Sequence, residues 1–469
     1  MGIVKKNIFI LDCSENGIFK NFIKNAHFNV IGCIVFNKNE KEYCLQHGIK
    51  YVFTSEEIDF LSELDLFNFS LIEDYRPTQR KVEFGMMRSL NSNMLIANKY
   101  YNALCLFEKI FKDNKIDCIF TNCIPHGYIP ETILLDMGRK YQIPTYCIFP
   151  VTMQYSCIIR YDTKKNVQVS NPIAKEEVTQ DVFNKNKNSY QVENINHKLP
   201  KRIQKIFHNI GGQITIDILS CLKRLNPRIQ MGFYQTRLIE KIYSLYRLGE
   251  MKRFYKKNSV IPDYTQKYIF YAIHFEPEAA TGVICDLQNQ LTIIQLLAKS
   301  LPDGWLLYIK DHPHQYNINN ILDHYYLTNI HFFKDRDFYE EVLKIKNVRL
   351  ITLQTQSEDL LQHAQAVATI NGSIILESVT KNKACITFDN YLMPITQSKL
   401  FSNIHVFQNL QRLKEYFTSS KYQQKMSNEE IDSGIEKLRY YYFNHHIMGG
   451  GDLTIMETII KDLKNESNA

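Results

Sequence analysis

No apolar run in this chain approaches the ~18 residues that a membrane-spanning helix requires, so the sequence predicts no transmembrane segment. The start, Met1-Gly-Ile-Val-Lys-Lys-Asn-Ile-Phe-Ile10, has only a short apolar stretch and no small-residue cleavage site. It reads as a first core strand rather than a signal peptide. None of the eleven cysteines belongs to a C-x-x-C pair, which argues against both a zinc site and a disulfide framework. Several lie inside apolar runs such as Ile31-Gly-Cys-Ile-Val-Phe36, the pattern of buried thiols in a reducing cytosol. Gly-x-Ser-x-Gly, Walker, Gly-x-Gly-x-x-Gly and His-Glu-x-x-His motifs are missing too, which removes several common enzyme classes. There is no internal repeat.

What is present is the composition of a globular protein: 45% hydrophobic and 22% charged residues over 469 positions. That length exceeds one ordinary core and predicts two or three domains. The net charge of +7 is unevenly spread. Between 201 and 257 stand thirteen Lys or Arg against Asp217, Glu240 and Glu250, so this segment alone carries +10 and the remainder is slightly acidic. A basic stretch interleaved with Ile, Leu, Phe and Tyr suits an anionic membrane surface or a polyanion, and equally a solvated helical face.

Short β-rich runs at 7–11, 30–36, 118–120 and 144–149 alternate with helical patterns at 40–47, 94–113 and 131–141. Such alternation predicts a parallel sheet with crossover helices. Residues 1–150 therefore read as one Rossmann-like α/β domain. Residues 151–260 read as a connector, rich in Lys, Asn and Gln at first and then helical and basic. The alternation returns in 261–448, with strands near 267–273, 304–310, 348–353, 366–370 and 384–388. Gly449-Gly-Gly451 precedes a last amphipathic helix within 449–469.

Three strand ends in the second half carry polar groups, and the rim of a parallel sheet is where α/β proteins bind ligands. The first is Tyr271-Ala-Ile-His-Phe-Glu-Pro-Glu278. His274, Glu276 and Glu278 are candidates for acid/base chemistry, because the proline keeps the two carboxylates out of one regular helix. A histidine beside carboxylates is expected to hold its proton more readily. The second is Lys310-Asp-His-Pro-His314, where Lys310 and His312 offer a charge and a directed donor to a phosphate and Pro313 stiffens the loop. The third is Asn371-Gly-Ser373 followed by Glu377. Gly372 permits a sharp turn, and a helix starting near Ser373 would aim its N–H groups at a phosphate, with Glu377 placed for a ribose. An ordinary strand-turn-helix with a capping serine is the alternative.

Together the three clusters resemble the capsular polysaccharide biosynthesis family, which includes the Kdo transferases of capsule assembly. The family's Leu-His-Tyr-Gln-Pro-Glu-Ala-Thr-Thr appears as Ile273-His-Phe-Glu-Pro-Glu-Ala-Ala-Thr281, its Val-Lys-Glu-His-Pro as Ile309-Lys-Asp-His-Pro313, and its Gly-Ser/Thr turn as Asn371-Gly-Ser-Ile-Ile-Leu-Glu-Ser378. Asn122-Cys-Ile-Pro-His126 is similar to a Pro-His turn of the family. Glu276 stands where the family has Gln, and Ala280 where it has Thr. The resemblance is strong over roughly 265–395, partial over 115–150 and absent from 151–255.

The resemblance implies a metal-independent glycosyltransferase with two Rossmann-like domains in the GT-B arrangement, a helical basic connector between them, and no cofactor beyond the nucleotide-sugar co-substrate. Kdo or a related acid sugar on CMP is the implied donor, and a capsule or lipopolysaccharide glycan, lipid-linked or free, is the implied acceptor. Lys310, His312, Pro313, Asn371, Gly372, Ser373 and Glu377 would bind the donor, with His274, Glu276 and Glu278 at the reacting centre. Asp12, Glu15, Asp74 and His126 are acceptor-side candidates by position. The expected place is the cytoplasm, peripheral to the inner face of the membrane through 201–257, with no nucleic acid as partner. A UDP- or GDP-sugar transferase, a nucleotide-sugar 2-epimerase of the same fold, and a non-catalytic capsule assembly or export factor are the rival readings.

Overall fold

The apolar runs become two mostly parallel sheets, as strands covered by helices on both faces must be apolar throughout. The structure is a computed structural model that describes residues 5–12, 17–58, 64, 67–88, 92–122, 129–151, 155–179, 238–278, 280–285, 287, 289–318, 329–388, 394–397, 400–407, 409–444 and 452–467. Among these residues the first sheet has eight strands. They are β1 (Lys6–Asp12), β2 (Phe28–Val35), β3 (Tyr51–Thr54), β4 (Cys118–Thr121), β5 (Thr145–Pro150), β6 (Tyr155–Arg160), β7 (Lys165–Val167) and β14 (Tyr442–Asn444). Its parallel part runs β5-β4-β1-β2-β3, and β6 and β14 continue it antiparallel. The second sheet comprises β8 (Tyr268–Ala272), β9 (Leu306–Lys310), β10 (Val348–Leu350), β11 (Ala366–Thr369), β12 (Cys385–Thr387) and β13 (Ile404–Val406). It is wholly parallel in the order β10-β9-β8-β11-β12-β13.

Numbered along the chain, the second sheet has the doubly wound order 3-2-1-4-5-6. The order reverses between β8 and β11, and in open α/β sheets a ligand crevice lies outside the carboxyl ends at this switch point. β8 ends at His274's loop and β11 at Asn371's turn, so two of the three polar clusters flank one crevice. β9, next to β8, brings the third.

Apolar packing supports both faces of each sheet. Ile8, Ile10 and Phe120 face one core of the first sheet, Phe9, Leu11 and Ile119 the other, all fully buried. Ile269, Tyr271 and Leu307 face the larger core of the second sheet, Tyr268 and Phe270 the smaller. Each such side chain stabilises the fold by roughly 1.5–3 kcal/mol. A further core is shared by the halves, with Tyr155, Cys157 and Tyr442 of the first sheet packed with Val283, Ile284, Ile375 and Val379 of the second half.

The chain's division differs from the expected boundaries. Residues 155–167, read as connector, pair into the first sheet because β6 and β7 continue its hydrogen bonding. Helix Leu238–Asn258, read as connector too, packs Leu248, Met251 and Tyr255 into the core of the second sheet. The C-terminus crosses back: β14 pairs with β6, and helix Asp452–Ser467 places Ile455, Met456 and Ile459 against the first sheet. Arg160 fastens that helix with 2.7 Å ion pairs to Asp462 and Glu466. The basic positions at 201–237 lie outside the described residues. The eight described cysteines are all buried thiols, and no described helix is long and apolar enough to cross a membrane.

Candidate active site

Glu276 follows β8 and is held by two glutamines. Gln315 pairs with its backbone like a strand neighbour, accepting from Glu276 N–H and donating to Glu276 O, both at 2.9 Å. Gln290, at the start of helix Gln290–Ser300, donates through Nε2 to Glu276 Oε1 at 2.6 Å and accepts the His274 N–H at 2.8 Å. The side chain is 6% exposed, and loss of water pushes its carboxyl up to about 7 against the opposing pull of Lys334. Glu278 is open to solvent, yet the protein around it displaces enough water to push its carboxyl up to about 7 as well. Two carboxyl groups near neutrality on one loop can exchange protons at physiological pH.

His274 behaves differently from the expectation. Its Nε2 accepts the backbone N–H of Ile370 at 3.3 Å and lies 2.9 Å from Thr369 Oγ1. An acceptor Nε2 leaves the proton of the neutral ring on Nδ1. Burial lowers its pKa to about 3, helped by the charges of His312 and Lys334. The ring does not hold a second proton, because it is withdrawn from water and faces positive rather than negative charge. Gly372 makes the arrangement possible: a Cβ there would stand 2.8 Å from Thr369 Oγ1 and 3.2 Å from His274 Cε1. The close approach that Gly372 permits is to these side chains, and its N–H bonds to Thr369 Oγ1 at 3.1 Å.

Lys310 ends β9 with 6% exposure. Its ammonium donates to Ser357 Oγ at 3.1 Å, and no carboxylate lies within ion-pair distance among the described residues. Burial lowers its pKa to about 8, while Asp311 and Glu377 pull the other way. Such a cation is poised for an anionic ligand. His312 accepts the His314 N–H through Nδ1 at 3.2 Å and so caps the short turn Pro313–Tyr316, with Pro313 in its first positions. Nε2 then carries the proton of the neutral ring, whose pKa burial lowers to about 4.

The third cluster is less helix-like than its sequence implies. Helix Ile374–Thr380 has only seven residues, and Ser373 makes no side-chain cap. Asn371 donates to Cys285 Sγ at 3.2 Å, tying the turn to the loop after β8. Glu377 is half-buried on that helix.

The structure thus gathers His274, Glu276, Glu278, Lys310, His312, Asn371, Gly372, Ser373 and Glu377 around one switch point. Comparison with known proteins adds little. No protein-family model matches the chain, and no curated protein matches it in sequence. Among solved structures it is similar to KpsC of Thermosulfurimonas dismutans, described as a β-Kdo 2,7 transferase, at 10% identity, 76% coverage of this chain, 88% of that one and a TM-score of 0.31. It is also similar to the S. aureus MnaA-UDP co-structure at 10% identity, 98% and 97% coverage and 0.27. The UDP-GlcNAc 2-epimerase from Neisseria meningitidis bound to UDP-GlcNAc gives 12% identity, 97% and 100% coverage and 0.22. TM-scores this far below 0.5 carry no argument, and the fold class rests on the strand order itself.

The acceptor-side candidates from the first half fare unevenly. Asp12 is fully buried, its Oδ1 accepting from Asn122 Nδ2 at 2.6 Å and its Oδ2 from Phe19 N–H at 3.0 Å. It joins β1, β4 and the first helix across that sheet's own switch point. Asp74 is exposed and pairs with Lys140 at 2.9 Å. Glu15 and His126 lie outside the described residues.

What the sequence reading missed is helix Arg76–Met86. It forms one wall of a cleft of about 570 Å³ lined by Arg80, Lys81, Glu83, Phe84 and Met87 from the first half and Cys285 from the second. Phe84 fits so closely over Gly282 that a Cβ there would come within 1.6 Å of its ring. Two cationic side chains three to four positions after Pro77 were the available signal. Also missed were Lys334, Gln290 as the grip on Glu276, and Gln315.

Proposed function

We propose that this protein is a glycosyltransferase that binds a nucleotide-sugar at the switch point of the second sheet and receives its acceptor from the cleft beneath helix Arg76–Met86. The observation that carries the reading is the meeting of a buried Lys310, which has no ion-pair partner among the described residues, with two carboxyl groups near neutrality at adjacent strand ends. Donor cleavage leaves a phosphate whose charge must be neutralised, and a preorganised ammonium in a water-poor site does this without reorganisation. The Nε2–H of His312 is the nearby directed donor. Glu278, in contact with solvent, takes the acceptor hydroxyl's proton, while Glu276 beside it tunes and orients the loop. The donor we favour is a CMP-linked acid sugar such as Kdo, transferred to a capsule or lipopolysaccharide glycan. The resemblance of 273–281, 309–313 and 371–378 to the capsular polysaccharide family supports that choice.

The paired carboxyls favour one second reading. Removal and return of a proton on opposite faces of a sugar carbon needs two groups of similar pKa, so a nucleotide-sugar 2-epimerase fits the same loop. Thermal-shift titration with CMP, UDP and GDP, followed by turnover with and without acceptor glycan, tests both. Stabilisation by CMP and acceptor-dependent release of CMP are expected. Stabilisation by UDP with turnover of UDP-sugar alone selects the epimerase, and absence of binding by all three nucleotides overturns both enzyme readings.

A further inference from the structure

The segment from Asn329 to Lys334 joins the two halves of the molecule to the His274 loop. At one end, Asn329 donates its N–H to Arg88 O and its Nδ2 to Met87 O, each at 2.9 Å, just beyond helix Arg76–Met86. Phe333 packs edge-on against Phe84 with ring centroids 4.9 Å apart. At the other end, Lys334 is withdrawn from water with 1% of its side chain exposed. Its Nζ donates to Asp311 Oδ1 at 2.6 Å and to the backbone carbonyl of His274 at 2.9 Å. Asp311 is in turn saturated. Its Oδ1 accepts the His312 N–H at 2.9 Å, and its Oδ2 accepts from Tyr316 at 3.0 Å and from Tyr339. Its own N–H donates to the Tyr255 hydroxyl at 3.1 Å, which donates onward to Ile351 O.

A buried ion pair contributes little net stability over an apolar packing of the same shape. Its hydrogen bonds are directional, and this is what the pair adds here. The carbonyl of His274 accepts from Gln290 Nε2 at 3.3 Å and, more closely, from one charged donor, Lys334, which belongs to the segment carrying the contacts with helix Arg76–Met86. With the carbonyl held, the ring keeps Nε2 on Ile370 N–H and Thr369 and turns Nδ1–H away from them.

We propose that Lys334 is a positioning residue that transmits the contact between the two halves into the orientation and tautomer of His274. Movement of helix Arg76–Met86 draws on Asn329 and Phe333, and Lys334 passes the displacement to the His274 carbonyl. The clamp is independent of which nucleotide binds. Its use in catalysis rests on the expectation that His274 belongs to the reacting centre.

The test is side-chain 15N spectroscopy of the full chain labelled at histidine, with His274→Asn identifying the resonance. At neutral pH the wild type should show a His274 ring protonated at Nδ1 and bare at Nε2. Lys334→Met should replace this by a mixture of tautomers, and Asn329→Ala should move it in the same direction, while exposed His47 and His363 stay as they were. The tautomer decides rather than the pKa, because loss of the ammonium charge alone raises the pKa. Should Lys334→Met fail to fold around an unpaired Asp311, the double variant Lys334→Met/Asp311→Asn removes both charges and makes the same reading. An unchanged Nδ1-protonated tautomer in the folded Lys334 variants overturns the proposal, as does a change that Lys334→Met produces and Asn329→Ala does not. CMP and UDP titrations of the wild type run alongside. Lack of binding there sinks the donor-site reading and leaves the clamp standing.

Discussion

Gln290 holds Glu276 and His274 with one side-chain amide: Nε2 donates to the Glu276 carboxylate at 2.6 Å and Oε1 accepts the His274 N–H at 2.8 Å. Both partners are buried. Replacement by Leu leaves a carboxylate oxygen and an N–H without partners, each costing about 1–3 kcal/mol. Gln290→Leu should lower unfolding free energy by several kcal/mol in urea denaturation. Gln290→Glu should be worse, since it sets a second carboxylate against Glu276.

Glu276→Gln should make the protein more stable and less active. The folded-state pKa of Glu276 is raised to about 7 from an ordinary 4.5. The native state therefore binds more protons than the unfolded chain between those values, and stability falls as pH rises through the window. Below about pH 4.5 wild type and variant should match. At pH 8 the variant should lead by on the order of 3 kcal/mol, from ~1.4 kcal/mol per pH unit over the shifted interval. Glutamine is also the residue of the family this stretch resembles. Melting curves at pH 4.5, 6 and 8 check the sign; an advantage that grows towards low pH would contradict it.

Lys310→Met should raise the stability of the ligand-free protein and abolish nucleotide binding. The lysine's pKa is lowered to about 8 from 10.5, so the unfolded chain binds more protons between these values. The charge is a burden below about pH 8, and stability rises as pH climbs towards 10.5. Removing the ammonium recovers on the order of 3 kcal/mol at pH 7. In the wild type, affinity for the phosphate of CMP or UDP should weaken as pH rises past about 8. Isothermal titration at pH 7 and 9 measures this, and equal affinity at both would separate Lys310 from the phosphate.

Gly372→Ala should disturb His274 more than it disturbs the fold. The added methyl meets Thr369 Oγ1 at 2.8 Å and the His274 ring at 3.2 Å, and overpacking of this kind costs about 1–3 kcal/mol. Turnover should fall at least tenfold while the melting temperature drops by only a few degrees. A variant with full turnover would place the His274 ring outside the chemistry.

The elements legible from the sequence are those whose signal is local. β1, β4, β8, β9 and β11 are apolar runs because each is buried on both faces, and five- to ten-residue windows suffice to show that. The polar clusters at 274–278, 310–314 and 371–377 are legible for the same reason, since a charge directly after an apolar strand marks a sheet rim. Helix Arg76–Met86 escaped because Arg-Pro-Thr-Gln-Arg-Lys-Val-Glu-Phe-Gly-Met buries only a thin face. β14 and β7 escaped because three residues carry no readable period.

By itself, then, the sequence determined the α/β class, the strand ends that bear chemistry, and the residue types available there. Tertiary structure decided what those residues are. His274 is neutral because it is buried beside positive charge, Asp12 is a tie between β1 and β4, and Lys310 is a buried cation near Asp311 and Glu377 with no ion-pair partner among the described residues. It also brought Lys334 to Asp311, 23 positions away, and Phe84 to Gly282 across the two halves. Burial, protonation and long-range pairing depend on which surfaces come together in space, and residues far apart in the chain leave no local pattern from which to read that.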